Sequence, residues 1–213
     1  MSNIKAVFFD NDGLLVDTES LYLDATREIF APYGVEVPLD WYIHQHLGEG
    51  VSVFGLLLAK GIPEQKIAEL QAARYKRYEE MLGGIRAIDG VIEVLEQLHG
   101  KFILAVVTSG RKESLDIVTH KTGLGHFFDF VITSDDVKNT KPDPEPYLKA
   151  IELSGQEKAH CLALEDSSKG ARAAKAAGIT CFAIPDALTK FHDLSMADKV
   201  LGSIREVPTL LGL

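Results

Sequence analysis

Five short apolar runs, rich in β-branched or aromatic residues, punctuate this chain of 213 residues: one ending at Phe9, then FILAVVT (102–108), FDFVIT (128–133), HCLALED (160–166) and ITCFAI (179–184). Runs this short and this continuously apolar suit strands buried on both faces. Helical patterns lie between them: GVIEVLEQLHG (90–100), RKESLDIVTHKTGL (111–124), PEPYLKAIELSG (144–155) and SKGARAAKAAG (168–178). Gly100, Gly155 and Gly178 read as helix stops. Strands alternating with helices predict an α/β fold, a doubly wound parallel sheet built from βαβ units.

The alternation fails once. From about Val16 to Gly84 there is no strand pattern, only helical ones such as ESLYLDATREIFAPYG and PEQKIAELQAARYKRYEEMLGG, broken by Pro32, Gly34, Pro38, Gly61 and Pro63. The expected division is a core of residues 1–15 and 86–213 with an inserted all-helical subdomain of residues 16–85.

A composition of 46% hydrophobic and 25% charged residues is that of a globular protein, and a chain this long needs no staples to hold its core. Cys161 and Cys181 sit in apolar runs without CxxC spacing, as buried reduced thiols do. A formal charge of −9 argues against a nucleic-acid surface. It leaves anionic substrates open, because a bound cation reverses the local field. The start MSNIKAVFFD carries no signal-peptide pattern, and no apolar run approaches the ~18–20 residues that span a bilayer. The expectation is a cytoplasmic protein without a membrane partner.

In open α/β sheets, ligands bind beyond the carboxyl ends of the strands. The first run ends in Asp10-Asn11-Asp12-Gly13, the second in Thr108-Ser109-Gly110, and the fourth in Glu165-Asp166-Ser167; Lys141-Pro142-Asp143-Pro144 follows the third. Carboxylates two residues apart repel and are costly to desolvate, so something must offset them. Phosphoryl transfer gives every residue type here a task. Clustered carboxylates suit Mg²⁺, and one can act as nucleophile and form an aspartyl phosphate. Another can exchange a proton with the leaving oxygen, while a hydroxyl, amides and a lysine hold the transferring oxygens.

FFDNDGLLVDTE resembles the first motif of the haloacid dehalogenase superfamily in its phosphatase form. VVTSG resembles the second motif, KPDPEPYLKA the third and LEDSSKGARAAKAAG the fourth. The resemblance runs in order along nearly the whole chain and points to the phosphatase and β-phosphoglucomutase-like subfamily, with a Rossmann-like core and an α-helical, C1-type cap. It implies that Asp10 is the nucleophile and a Mg²⁺ ligand. Asp12 would be the general acid and base with its carbonyl on the metal, and Thr108 a phosphate ligand helped by amides near Asn11, Ser109 and Gly110. Lys141 would steady Asp10, while Asp166 and Glu165 would complete the metal site. It also implies a specificity loop in WYIHQHLGEG, with His44, His46, Gly48 and Glu49 facing a small-molecule phosphate ester. The acid at Asp12 favours phosphate esters over halides, whose departure needs no proton.

The implied activity is Mg²⁺-dependent hydrolysis of a phosphorylated metabolite, a sugar phosphate above all, by an enzyme able to work as a monomer. A sugar-phosphate mutase and a non-catalytic binding module are the alternatives. Tyr22 in place of the mutases' histidine, and an apolar or small residue near Val51–Val53 in place of their cap arginine, weigh against the mutase. Plainer roles are also open: Thr108 and Ser109 as helix caps, Asp135-Asp136 as a cap after the third strand, and His44 and His46 as surface residues. The aromatic-basic stretch Arg74, Tyr75, Lys76, Arg77 and Tyr78, followed by Glu79 and Glu80, reads as a cap-helix surface, with Arg77 or Lys76 as the alternative contact to a substrate.

Overall fold

The computed structural model describes residues 3–213. In chain order the elements are β1 (Ala6–Phe9), α1 (Glu19–Phe30), α2 (Leu39–Trp41), α3 (Phe54–Ala59), α4 (Glu64–Met81), α5 (Val91–Leu98), β2 (Ile103–Val107) and α6 (Lys112–Thr122). They continue with β3 (Phe130–Ile132), α7 (Glu145–Ser154), β4 (Cys161–Glu165), α8 (Ser168–Ala177), β5 (Thr180–Ala183), β6 (Lys199–Val200) and α9 (Val207–Leu211). All six strands are parallel in the order β3-β2-β1-β4-β5-β6. The chain winds outward from β1 to one edge, then returns to β4 and winds to the other. The order therefore reverses between β1 and β4, which is where such sheets bind ligands.

Side-chain alternation divides the strands' apolar residues between two cores. Val7, Phe9, Leu104, Val106, Leu162 and Leu164 face the layer that holds α5, α6 and α9. Ala6, Phe8, Ala105, Val107, Cys161 and Ala163 face α7 and α8. Both thiols are buried and free.

The helices between β1 and α5 form the cap, with a core of their own built on Leu23, Phe30, Tyr42, Leu47, Phe54, Leu57 and Leu70. α1 lies along α4. The outgoing and returning chains are joined by a Val16–Ala87 bridge and by Ile88 N donating to Leu15 O at 2.9 Å.

The expected helices form with slightly shorter bounds, and α5 stops at Leu98, before Gly100. Two features depart from expectation. The stretch read as a loop is a π-helical segment, Tyr42–Gly48, continuous with α2. β6 has only two residues, both exposed, so it lacked the apolar run that marked the other strands.

Candidate active site

β1 ends by sharing its ladder: Asp10 N donates to Leu164 O at 3.0 Å, which sets Asp10 beside the end of β4. The chain then folds tightly back, with Leu15 N and Val16 N donating to Asn11 O at 2.9 and 3.1 Å. Gly13 sits in this turn at φ +81°, and a Cβ there would stand 2.5 Å from Asp166 Oδ2. Glycine meets both demands, left-handed backbone and close approach.

Lys141 is 4% exposed, and its ammonium has an acceptor for each proton. It donates to Asp10 Oδ1 at 2.9 Å and Val107 O at 2.6 Å, and pairs with Glu165 Oε1 at 2.6 Å. Its loop is fixed from α7, where Glu145 accepts from the amides of Lys138 and Asn139 at 2.8 and 2.9 Å. Burial alone would lower the Lys141 pKa, but the charges of Asp10 and Glu165 and their hydrogen bonds hold it above the ordinary lysine value.

Glu165 is fully buried; Tyr147 Oη donates to Oε1, while Oε2 has no partner. Burial pushes this carboxyl up to about 7, with the Lys141 charge opposing and Asp10 adding to the rise. Asp166 is raised well above the carboxylate range by burial, then by Asp10 and Glu165. Asp10, Glu165 and Asp166 each bring a carboxylate oxygen within 4.8 Å of the others. Among the described residues only Lys141 forms an ion pair with this trio. Ionised together, three buried carboxylates would face a single ammonium; the raised pKa values of Glu165 and Asp166 register that cost, and the all-oxygen donor set fits a divalent cation that would offset it.

Asp12 sits beside this cluster but outside it. Its Oδ1 accepts from Thr18 Oγ1 and, at 3.4 Å, from Tyr78 Oη; its Oδ2 is 3.4 Å from Thr108 Oγ1. Burial and Asp10 push its pKa up, against the hydrogen bonds of Thr18 and Asn11. Thr108 Oγ1 also accepts from Gly110 N at 2.9 Å, and Ser109 Oγ is buried without a partner. Asp135 and Asp136 act as caps: Asp135 accepts from Lys112 N at the start of α6, and Asp136 from Thr133 N.

These strand ends and the cap enclose a cavity of about 300 Å³. Asp10, Asn11, Asp12, Thr108, Ser109, Gly110, Lys141 and Asp166 line it; Glu165 lies behind them. Of the four cap residues expected at the substrate, only His46 lines the cavity. Its ring stacks on Tyr22 with centroids 6.3 Å apart, and its Nδ1 lies 2.8 Å from Val51 O, which makes Nδ1 the donor. Burial, then the Lys169 charge, lowers its pKa to about 3, so the ring stays neutral. His44 points outward toward Asp40 at 3.4 Å. Gly48 and Glu49 are turned to the core: Gly48 O accepts from Ser168 Oγ at 2.9 Å and Arg172 Nη2 at 2.7 Å, and Glu49 pairs with Arg172 at 2.6 Å. The π-helical winding spends this stretch on anchoring the cap.

Arg77 is likewise outside the cavity, paired with Glu28 at 2.5 Å, and Lys76 is exposed and absent from the lining. Arg74 lines the cavity instead, together with Glu19, Tyr22, Tyr75 and Tyr78. Arg74 falls in phase with Ile67, Leu70 and Tyr78, the buried residues of α4. That shared phase was the sequence signal for it.

A family model for haloacid dehalogenase-like hydrolases matches residues 7–184. The chain belongs to this family. It is 32% identical to the protein CbbY of Rhodobacter capsulatus, over 92% of this chain and 91% of that one. It is 34% identical to a phosphorylated carbohydrates phosphatase of Thermotoga maritima, over 83% and 82%. The crystal structure of CbbY from Rhodobacter sphaeroides in complex with phosphate superposes with a TM-score of 0.82, at 26% identity, covering 96% of each chain. The chain is therefore a hydrolase on a Rossmann-like core with a helical cap, and its kinship is with phosphoric monoester hydrolases.

Proposed function

We propose that the chain is a Mg²⁺-dependent phosphatase of a small phosphorylated metabolite, a sugar phosphate in particular, working through an aspartyl phosphate on Asp10. The observation that carries this is the joining of Asp10, Asp12, Thr108, Lys141 and Asp166 on one cavity wall, at the reversal of the strand order. The name of the Thermotoga maritima relative supports the substrate class.

Asp10 attacks phosphorus through the carboxylate oxygen not held by Lys141. Asp12, fixed by Thr18, gives its proton to the departing ester oxygen and then takes one from the water that attacks the aspartyl phosphate. Thr108 Oγ1 and the amides of Asn11 and Ser109 hold the phosphoryl oxygens as charge spreads onto them. Lys141 fixes the Asp10 rotamer and screens the incoming dianion. Asp10 and Asp166, with the carbonyl of Asp12 and Glu165 directly or through water, would hold Mg²⁺. When bound, the cation offsets the carboxylates and the phosphate charge.

We take residues 16–85 as the cap that excludes water and selects the ester. Because the chain supplies its own lid, it can act as a monomer, and we place it in the cytoplasm. No helix among the described residues is long and apolar enough to cross a membrane.

The test is phosphate release from a panel of phosphorylated sugars and polyols, with Mg²⁺ or with EDTA. Free phosphate appearing only with Mg²⁺ is expected, and so is a rise in Tm with Mg²⁺ that Asp166→Asn abolishes. An isomerised ester in place of free phosphate would identify a mutase, and neither product would leave a binding module.

A further inference from the structure

α4 carries a charged residue where its phase demands an apolar one. Arg74 is 4% exposed, and aromatic rings enclose it: its guanidinium carbon lies 4.3 Å from the Tyr22 ring centroid, 4.7 Å from Phe54 and 4.9 Å from Tyr75. Rings cover the faces of a guanidinium. Its N–H groups point outward in the plane and still need acceptors. Arg74 Nε is buried with no partner, and no carboxylate of the described residues forms an ion pair with the side chain. The other buried cation, Lys141, has three acceptors.

A buried charge left this way is costly unless a ligand completes it. Arg74 lines the same cavity as Asp10, so a ligand held at the strand ends can also meet it. Arg111, from the loop after β2, brings a second guanidinium to this end, 4.9 Å from the Tyr75 ring and paired with Glu113 at 2.6 Å. Tyr75 thus contacts two guanidiniums at the cavity wall.

We propose that Arg74 is the centre of an anion subsite, and that the preferred substrate carries a second anionic group, phosphate or carboxylate, remote from the ester being cleaved. Guanidinium geometry matches the paired oxygens of either group. The proposal deepens the phosphatase reading and rests on it for the substrate's ester end.

Binding tests it independently of turnover. With Asp10→Asn protein, calorimetry would compare fructose 6-phosphate, fructose 1,6-bisphosphate and 6-phosphogluconate. At least one of the two doubly anionic esters should bind about tenfold more tightly than the monoester. Which of the two wins separates a phosphate from a carboxylate. Adding Arg74→Met should bring the ratio near one, while Arg74→Lys should keep part of it. Without ligand, R74M should melt at or above its Asp10→Asn parent, because it removes an unpaired buried charge. A ratio near one before Arg74 is changed, a ratio that survives R74M, or an R74K variant whose ratio equals the parent's would each overturn the subsite. Should R74M fail to fold, R74K and the parent's ratio decide. If wild-type enzyme hydrolyses all three esters with equal kcat/KM and the parent shows no binding preference, the subsite fails and the phosphatase stands. Preferential binding without hydrolysis of any ester would reverse that outcome.

Discussion

The carboxylates after β1 tolerate each other because each has a different neighbour. Asp10 is held by Lys141 at 2.9 Å, whereas Asp12 leans on Thr18 and Tyr78. Asp12→Asn keeps the shape and removes the proton, so kcat should fall by about 10²–10⁴-fold with ordinary sugar phosphates. An aryl phosphate whose leaving group needs no proton should lose much less in the first step, giving a burst of phenol. Equal losses on both substrates would exclude a proton-transfer role. Glu19 offers a second check at this scale. It lines the cavity, accepts from Tyr42 Oη at 3.0 Å, and has its pKa raised by burial from 4.5 to about 7. A carboxyl with a raised folded-state pKa favours folding below its unfolded pKa, and that contribution is lost as pH rises toward the folded value. Glu19→Gln stays neutral and can still accept from Tyr42. Its Tm relative to wild type should therefore climb between pH 4.5 and 7. A constant difference across that range would mean that Glu19 titrates normally.

Among the elements, α8 shows how packing can overrule propensity. Replacing glycine by alanine in a helix ordinarily stabilises it by about 1 kcal/mol. At Gly170 a Cβ would lie 1.8 Å from Glu165 Oε2, an overlap no rotamer shift of the buried glutamate relieves cheaply. Gly170→Ala should instead destabilise by about 1–3 kcal/mol, roughly 2–12 °C in Tm, and disturb Lys141 through their shared Glu165. A stabilised variant would show that α8 can move away. The strand ends were legible because their chemistry is adjacent in sequence: an apolar run stops and acids or hydroxyls follow at once. The cap wall was harder to read. Arg74 and Arg77 are one turn apart on a mostly polar helix, and only the phase set by Ile67 and Leu70 separates the buried cation from the half-buried one. His44, Gly48 and Glu49 were misplaced for a related reason, since a loop was expected where a π-helical segment turns those positions to solvent or to α8.

For the molecule as a whole, the cap is tied down at the side of the cavity by contacts that flank its lining residues without entering it. Arg172 and Ser168 hold Gly48 O, and His192 Nε2 lies 2.9 Å from Ile43 O. The Arg172–Glu49 pair is partly exposed and by itself contributes little, about 0–1 kcal/mol. The hydrogen bonds to the π-helical backbone matter more, because they fix the segment that carries His46. Arg172→Ala should raise KM several-fold and speed proteolysis within residues 42–53, with Tm nearly unchanged; an unaltered KM would mean that this tether does not govern closure. Five of the six parallel strands and the carboxyl-edge location of the chemistry were readable from alternation alone, because both follow from local pattern and chain winding, whereas the short exposed β6 left no such pattern. How the cap's helices face that edge depends on contacts between segments far apart in sequence, which periodicity does not encode.

Rapid quench of the enzyme with a sugar phosphate and Mg²⁺, followed by mass analysis of the peptide containing FFDNDG, tests the proposed nucleophile most directly. A phosphoryl adduct on Asp10 that forms and decays at the rate of turnover is predicted, and Asp10→Asn should abolish both adduct and turnover. Full turnover by Asp10→Asn, or an adduct on any other residue, would contradict the assignment of Asp10.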